Sequence, residues 1–260
     1  HDSLKISNGK WIWWSRGIGG RSALDYLIKV KGYSFLEAVE TIIGHTAIQA
    51  PVYEKPQLKE ENKPLLLPEK CASNRVITEY LFGRGIDFEI INYCISNDLI
   101  FESLPYHNVV FVGYDEKKEP KYAAYRSTNK RRIMGDCSGS KKDYSFRLGK
   151  ENLEEVHLFE CAIDLLSYAT LAKLNGQDWK EMSFVSLSGV YSPAKKIEDS
   201  KVPIALEKYL GSNPSVRKIR IHFDNDIAGR KAAQTLKIIL PDKYEIVDEP
   251  PKAGKDFNDF

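Results

Sequence analysis

The stretch "VRKIRIHFDNDIAGR", Val216–Arg230, runs from an apolar, strand-like segment straight into two aspartates, Asp224 and Asp226, one residue apart. An aspartate suits a strand interior poorly, and two in near contact repel unless something positive sits between them. One reading is a turn: Asp, Asn and Gly hydrogen-bond their own backbone, and Asp226 caps the helix that "IAGRKAAQTLKIIL" predicts. The other is a divalent-cation site. Hard cations take carboxylate oxygens, and Mg²⁺ combines one or two of them with waters and substrate phosphates. The second reading requires further carboxylates at the same point.

Outward from this stretch, strand and helix alternate from residue 153 onward. "EVHLFE", "SFVSLSG", "VRKIRIHF" and "YEIVDE" read as strands, separated by helices in "AIDLLSYATLAKLNG", "PIALEKYLGSN" and "IAGRKAAQTLKIIL". Such alternation predicts a parallel sheet with helices on its faces, and ligands then bind beyond the carboxyl ends of the strands. The first strand ends at Glu160, with Asp164 one helical turn later on the same face. The third ends at Asp224 and Asp226, and "GKDFNDF" sets Asp256, Asn258 and Asp259 just after the fourth. Glu160, Asp164, Asp224, Asp226 and Asp256 on one rim repel one another strongly without cations, which makes metal binding the stronger reading.

The remaining chain divides by composition. Residues 1–50 hold a strand signal, "KWIWW", a glycine-rich turn, "RGIGG", and helical spacing of Leu24, Leu27 and Ile28; Ser34 with Glu37 forms a capping-box pattern before a second helix. Trp11, Trp13 and Trp14 read as packed core rather than as a base-stacking platform. Residues 51–70, rich in Pro, Glu and Lys without periodicity, read as a linker. Residues 71–152 hold two short helices around a Gly-Arg-Gly turn and a β-hairpin, "NVVFVGYDEKKEPKYAAYRS", followed by a basic stretch. Between 121 and 150, nine basic residues face two acidic ones, an excess of +7 in a chain whose net charge is only +2. That is the footprint expected of a phosphate-binding surface, while a solvated charged face is the commoner origin of any single basic run.

A hydrophobic share of 42% allows a sizeable core. Cys71, Cys94, Cys137 and Cys161 form no Cys-x-x-Cys pair, so neither a disulfide framework nor a compact zinc site follows from their spacing. No apolar run approaches the roughly 18–20 residues that span a bilayer, and nothing resembles a signal peptide. A reducing cytoplasm is the expected location. The chain starts and stops abruptly at motif edges, as a piece of a longer protein would.

"LFECAIDLLS", then "SLSG", then "HFDNDIAGRKAA" resemble the three core motifs of the TOPRIM fold, shared by bacterial primases, topoisomerases and some nucleases. The closing "PPKAGKDFNDF" resembles the end of this domain in primase-like proteins. Upstream, "YLFGRGIDFEII" is similar to the element opening the primase catalytic core, and "GSKKDYSF" occupies the place of its basic loop. Residues 1–50 look like the back half of a primase zinc-binding domain, except that Trp13 and Arg16 stand where that family has a Cys pair, so no zinc is expected through those positions. The likeness is to primase-like proteins of plasmids and conjugative elements. It implies a degenerate zinc-ribbon-like region at 1–50, a linker at 51–70, an α+β primase-core-like subdomain at 71–152 and a TOPRIM domain at 153–260.

The resemblance further implies primer synthesis on single-stranded DNA from nucleoside triphosphates, in replication or transfer of a mobile element, with Mg²⁺ or Mn²⁺ as cofactor and a replicative helicase or relaxase as partner. Asp164, Asp224, Asp226 and Asp256 would ligate the ions; Glu160 would be a ligand or a general base. Lys141, Lys142 and Arg147 are the candidates for triphosphate contacts. Arg84, Arg126, Arg131, Arg132 and Lys255 complete the expected nucleotide and DNA surface. A metal-dependent nuclease uses the same acidic cluster with water as nucleophile, and a non-catalytic single-stranded DNA-binding module keeps the fold without the chemistry.

Overall fold

The computed structural model describes residues 3–46, 63–131, 133–189, 191–194 and 196–258. Arg132 and Asp259, and most of the expected linker, lie outside the described residues. The chain divides into two compact units, His1–Glu61 and Asn62–Phe260.

In the first unit β1 (Leu4–Ser7), β2 (Lys10–Trp13) and β3 (Ile18–Gly20) form an antiparallel sheet in that order. Asn8 and Gly9, both at positive φ, make the β1–β2 turn, the Asn-Gly pair being suited to a two-residue hairpin. The "RGIGG" segment, expected as a turn, contributes a third strand, because Trp11, Ile12 and Trp13 pair with Gly20, Gly19 and Ile18. A Cβ at Gly20 would lie 2.7 Å from the Trp11 ring, so the strand needs glycine there. Helix α1 (Ala23–Lys29) is capped by Ser22, which accepts from the Asp25 amide, and α2 (Phe35–Thr46) opens on the Ser34–Glu37 capping box. Trp11 and Trp13 are buried, whereas Trp14 is 65% exposed and is not core.

The second unit opens with α3 (Arg75–Gly83) and α4 (Phe88–Ser96), then β4 (Ile100–Glu102), β5 (Val109–Tyr114), β6 (Pro120–Arg126) and β7 (Met134–Asp136), an antiparallel sheet in sequence order. There follow β8 (Arg147–Gly149), β9 (Glu155–Phe159), α5 (Ala162–Leu174), β10 (Ser183–Ser186), α6 (Ile204–Ser212), β11 (Lys218–Ile221), α7 (Ile227–Ile239) and β12 (Glu245–Asp248). Five strands make the second sheet, in the order β12-β11-β9-β10-β8. All its pairings are parallel except that of β8, which lies before residue 153 yet adds an antiparallel edge.

Strands of a sheet covered on both faces are apolar throughout. Val156, Leu158, Ile219 and Ile221 meet Leu206, Ala232 and Leu236 of α6 and α7 on one face. Phe159 and Phe184 meet Leu165, Leu166 and Ala169 of α5 on the other, in a core that continues through Ile77, Leu81, Ile90 and Ile91 of α3 and α4. Helix α5 is therefore buried nearly all round. The register aligns Leu158 with Ile221 and Ile221 with Asp248, so the carboxyl ends of β9, β11 and β12 finish at one rim.

Candidate active site

The rim gathers its acids from separate strand ends. Glu160 follows β9, Asp224 and Asp226 follow β11, and Asp164 stands in the first turn of α5. Glu160 and Asp164 are buried, at 6% and 7% exposure. Glu160 Oε1 accepts from the Asp224 amide at 3.2 Å, tying the first strand end to the third. Asp164 Oδ2 accepts from the Cys161 thiol at 2.9 Å. Asp226 is the N-cap of α7, accepting from the Gly229 amide at 2.9 Å, so the capping reading of the opening stretch holds. Asp256 accepts from the Asn258 amide at 2.8 Å, and Asn258 in turn donates to the Arg84 carbonyl and to Ser167 Oγ, anchoring the segment that carries Asp256.

Burial, then the neighbouring charge of Asp224, pushes the Glu160 carboxyl up to about 7. Burial likewise lifts Asp164 to about 7, with Asp256 and Asp224 adding repulsion. Asp224 is raised chiefly by burial, whereas Asp226 is held down by the Gly229 amide and by Lys255. The positive charge between the two aspartates is Lys255, whose Nζ lies 3.3 Å from Asp224 and 3.1 Å from Asp226.

Two residues that the sequence reading gave no chemistry shape this rim. Arg230 on α7 donates to the carbonyls of Phe223 (2.7 Å) and Asp224 (3.2 Å) and pairs with Asp248 at 2.7 Å, fixing the backbone that presents Asp224. Gly229 lies so close that a Cβ would fall 2.2 Å from the Asp224 carbonyl and 2.9 Å from Glu160 Oε1. The glycine permits the approach of α7 to the acids.

A cleft of about 290 Å³ runs from the β5–β7 sheet to the start of α5 and the end of β10, lined among others by Tyr122, Tyr125, Arg126, Lys142, Cys161 and Ser188. Arg126 and Lys142 thus share a cleft with the start of α5, and the charge of Arg126 is felt at Asp164. Lys142 pairs with Asp136 at 3.2 Å and donates to the Ser188 carbonyl at 3.3 Å. The other basic candidates stand elsewhere. Lys141 lines a separate groove with Lys63 and Lys121. Arg131 is exposed in the β6–β7 turn. Arg147 is engaged by the Asp143 carbonyl and Glu151 and lies over the Tyr209 ring at 5.2 Å. Arg84 is half-buried, 5.9 Å from the Tyr80 ring.

The donor set fits a hard divalent cation: every side chain is a carboxylate, and the two most buried are pushed up to about 7 by burial first and by their acidic neighbours second, a cost that a cation would relieve. Among the described residues no three rim carboxylates bring oxygens within 4.8 Å of one another. An ion here would draw on one or two carboxylates, as Mg²⁺ does when phosphates and water complete its shell.

Residues 157–260 match the family model described as Toprim-like. This part of the chain is a Toprim-like domain. Residues 79–152 match a second model, described as a protein of unknown function (DUF3991). No curated protein matches the chain. Among solved structures, the primase fragment of the bacteriophage T7 primase-helicase is 15% identical over 99% of this chain and 87% of its own, with a TM-score of 0.47. The Aquifex aeolicus primase, with its zinc-binding and RNA polymerase domains, is 16% identical over 99% and 71%, at 0.44. The E. coli primase catalytic core is 11% identical over 71% and 67%, at 0.46. In the Toprim-like domain, then, the acids of the sheet rim come from β9, α5, the β11–α7 turn and the segment after β12. In the first unit the Arg16 guanidinium lies 4.0 Å over the Trp13 ring.

Proposed function

We propose that the chain is a primase-like nucleotidyltransferase that joins nucleotides into short primers on single-stranded DNA. The observation that carries this reading is the rim of the Toprim-like domain: Glu160, Asp164, Asp224, Asp226 and Asp256 at its acids, next to a cleft lined by Arg126 and Lys142. The similarity of "YLFGRGIDFEII" to the opening of the primase core favours polymerisation over the other chemistries of an acidic rim.

Bound Mg²⁺ or Mn²⁺ would stabilise the charge developing on the attacking and leaving oxygens. Asp224 and Asp226, with Asp164 and Asp256, would hold the ions. Glu160, pushed up to about 7 by burial, suits a general base for the 3′-hydroxyl near neutral pH. Lys255 holds the aspartate pair in the absence of ions and is positioned to turn to a triphosphate. Arg126 and Lys142 would take phosphate in the cleft.

The test is incubation with single-stranded DNA, labelled ribonucleotides and Mg²⁺ or Mn²⁺, with products resolved by size. Short oligonucleotides are expected, lost in Asp224→Asn and Asp226→Asn; Asn keeps the α7 cap at 226, so the fold survives. Shortened input DNA would identify a nuclease instead, and bound but unaltered DNA a non-catalytic module.

A further inference from the structure

Away from the acidic rim, three side chains of metal-ligand type meet where the segment entering α3 crosses the end of β4. Lys70 bridges Ser103, the Cys71 amide donates to the Glu102 carbonyl at 2.7 Å, and the Leu104 amide donates to the Glu69 carbonyl at 2.8 Å, clamping Cys71 beside Glu102. The chain then reverses, with the His107 amide donating to the Ser103 carbonyl at 2.8 Å, and Thr128 Oγ1 holds the His107 carbonyl at 3.0 Å. This turn returns the imidazole to the strand it left: His107 Nδ1 lies 2.6 Å from Glu102 Oε1. The ligand atoms of Cys71, Glu102 and His107 all fall within 4.8 Å of one another, the one such group among the described residues.

We propose that Cys71, Glu102 and His107 form a binding site for a zinc-class transition-metal ion. A thiolate, an imidazole and a carboxylate are the donors that Zn²⁺ takes, and sulfur and nitrogen set the site apart from the all-oxygen rim that suits Mg²⁺. Charge balances, since the thiolate and the carboxylate together offset a divalent ion. Glu102 is 1% exposed, and its Oε2 already accepts from the amides of Val76 and Ile77 at 2.8 and 3.2 Å, capping α3. That cap uses one oxygen and leaves Oε1 turned to His107. A helix cap accounts for Glu102 and its histidine but has no use for a thiol, whereas a metal site uses all three. The ion would take Nδ1 of a neutral imidazole, whose one proton then sits on Nε2, and would displace the proton of the thiol, so binding releases a proton. His107, 46% exposed at its side chain, leaves an entry path and a fourth position for water. Bound there, the ion would staple the entry segment, β4 and the β4–β5 turn together.

The whole chain, stripped with chelator, is titrated with Co²⁺ and then Zn²⁺. One equivalent of Co²⁺ is expected to bind with a thiolate-to-cobalt absorption band, and Zn²⁺ should displace it. Cys71→Ser removes the band while keeping the metal-free melting curve, because the thiol takes no part in the α3 cap. His107→Asn weakens Zn²⁺ binding by at least roughly tenfold. Asp224→Asn leaves the thiolate band and its stoichiometry unchanged, which separates this site from the acidic rim. A wild-type chain that takes up Co²⁺ without thiolate absorption, or takes up none, overturns the proposal. So does a Cys71→Ser chain that titrates like the wild type.

Discussion

Asp164 enters the core with little to offset its charge: one thiol donates to it, and burial with the nearby Asp256 and Asp224 lifts its carboxyl to about 7. Its folded pKa exceeds its unfolded value, so the folded state binds the extra proton. The resulting penalty is absent below about pH 4 and complete above about pH 7. Asp164→Asn should therefore stabilise the metal-free fold at pH 8 by up to about 4 kcal/mol, and by almost nothing at pH 4. Urea melts in chelator at the two pH values measure this; equal effects at both would mean that the carboxylate is not ionised at a cost. His157 works in the opposite sense. Burial lowers it to about 4, so the unfolded chain binds the extra proton and stability falls as pH drops from about 6.5 to 4. In wild type the two trends oppose each other. In Asp164→Asn the acid-side decline should emerge, visible as a steeper loss of melting temperature below pH 6.

At the scale of elements, the β11–α7 junction depends on one missing methyl group. Gly229→Ala would bring a Cβ to 2.2 Å from the Asp224 carbonyl, a backbone atom that Arg230 also holds. The helix has to retreat or the turn has to open, at a cost of about 1–3 kcal/mol. The expected result is a folded chain with a lowered melting temperature and, on the proposed function, a larger loss of primer synthesis than that stability change explains. Full activity would show that the rim tolerates a shifted α7. The alternation of strands and helices after 153 was readable because short apolar runs alternate with longer helix-forming ones, and the rim acids could be named because each follows a strand or, like Asp164, stands one turn into the helix after it. Other features leave no such trace. Ile18–Gly20 looks like a turn by composition and is a strand because Trp11 to Trp13 offer it a ladder. Cys71, Glu102 and His107 meet through a backbone bridge and a reversal of the chain, which no ligand spacing announces. Arg230 is one charged residue on a helix face until its three oxygen partners are seen.

For the whole molecule, charge is nearly balanced at +2, so binding to nucleic acid depends on where the charges lie. The basic stretch between 121 and 150 should bind single-stranded DNA with counterion release, making the affinity fall as salt rises. Lys142 already pairs with Asp136 and should contribute less than Lys141 or Arg131. Neutralising all three should reduce the slope of log affinity against log salt by up to about 2, from roughly 0.7 per phosphate contact. An unchanged slope would leave the patch as a solvated face. The acidic rim works against the same ligand, since Glu160, Asp164, Asp224, Asp226 and Asp256 repel the phosphates that the basic stretch attracts. At constant ionic strength Mg²⁺ should therefore tighten binding of single-stranded DNA, and in chelator Asp224→Asn should tighten it too, by removing one of the repelling charges. Both effects have one origin, so the variant should gain less from Mg²⁺ than the wild type does. Fluorescence anisotropy of a labelled oligonucleotide, with and without the ion, measures the difference. Equal gains in the two proteins would place the ion's action away from the rim and sink this account of it.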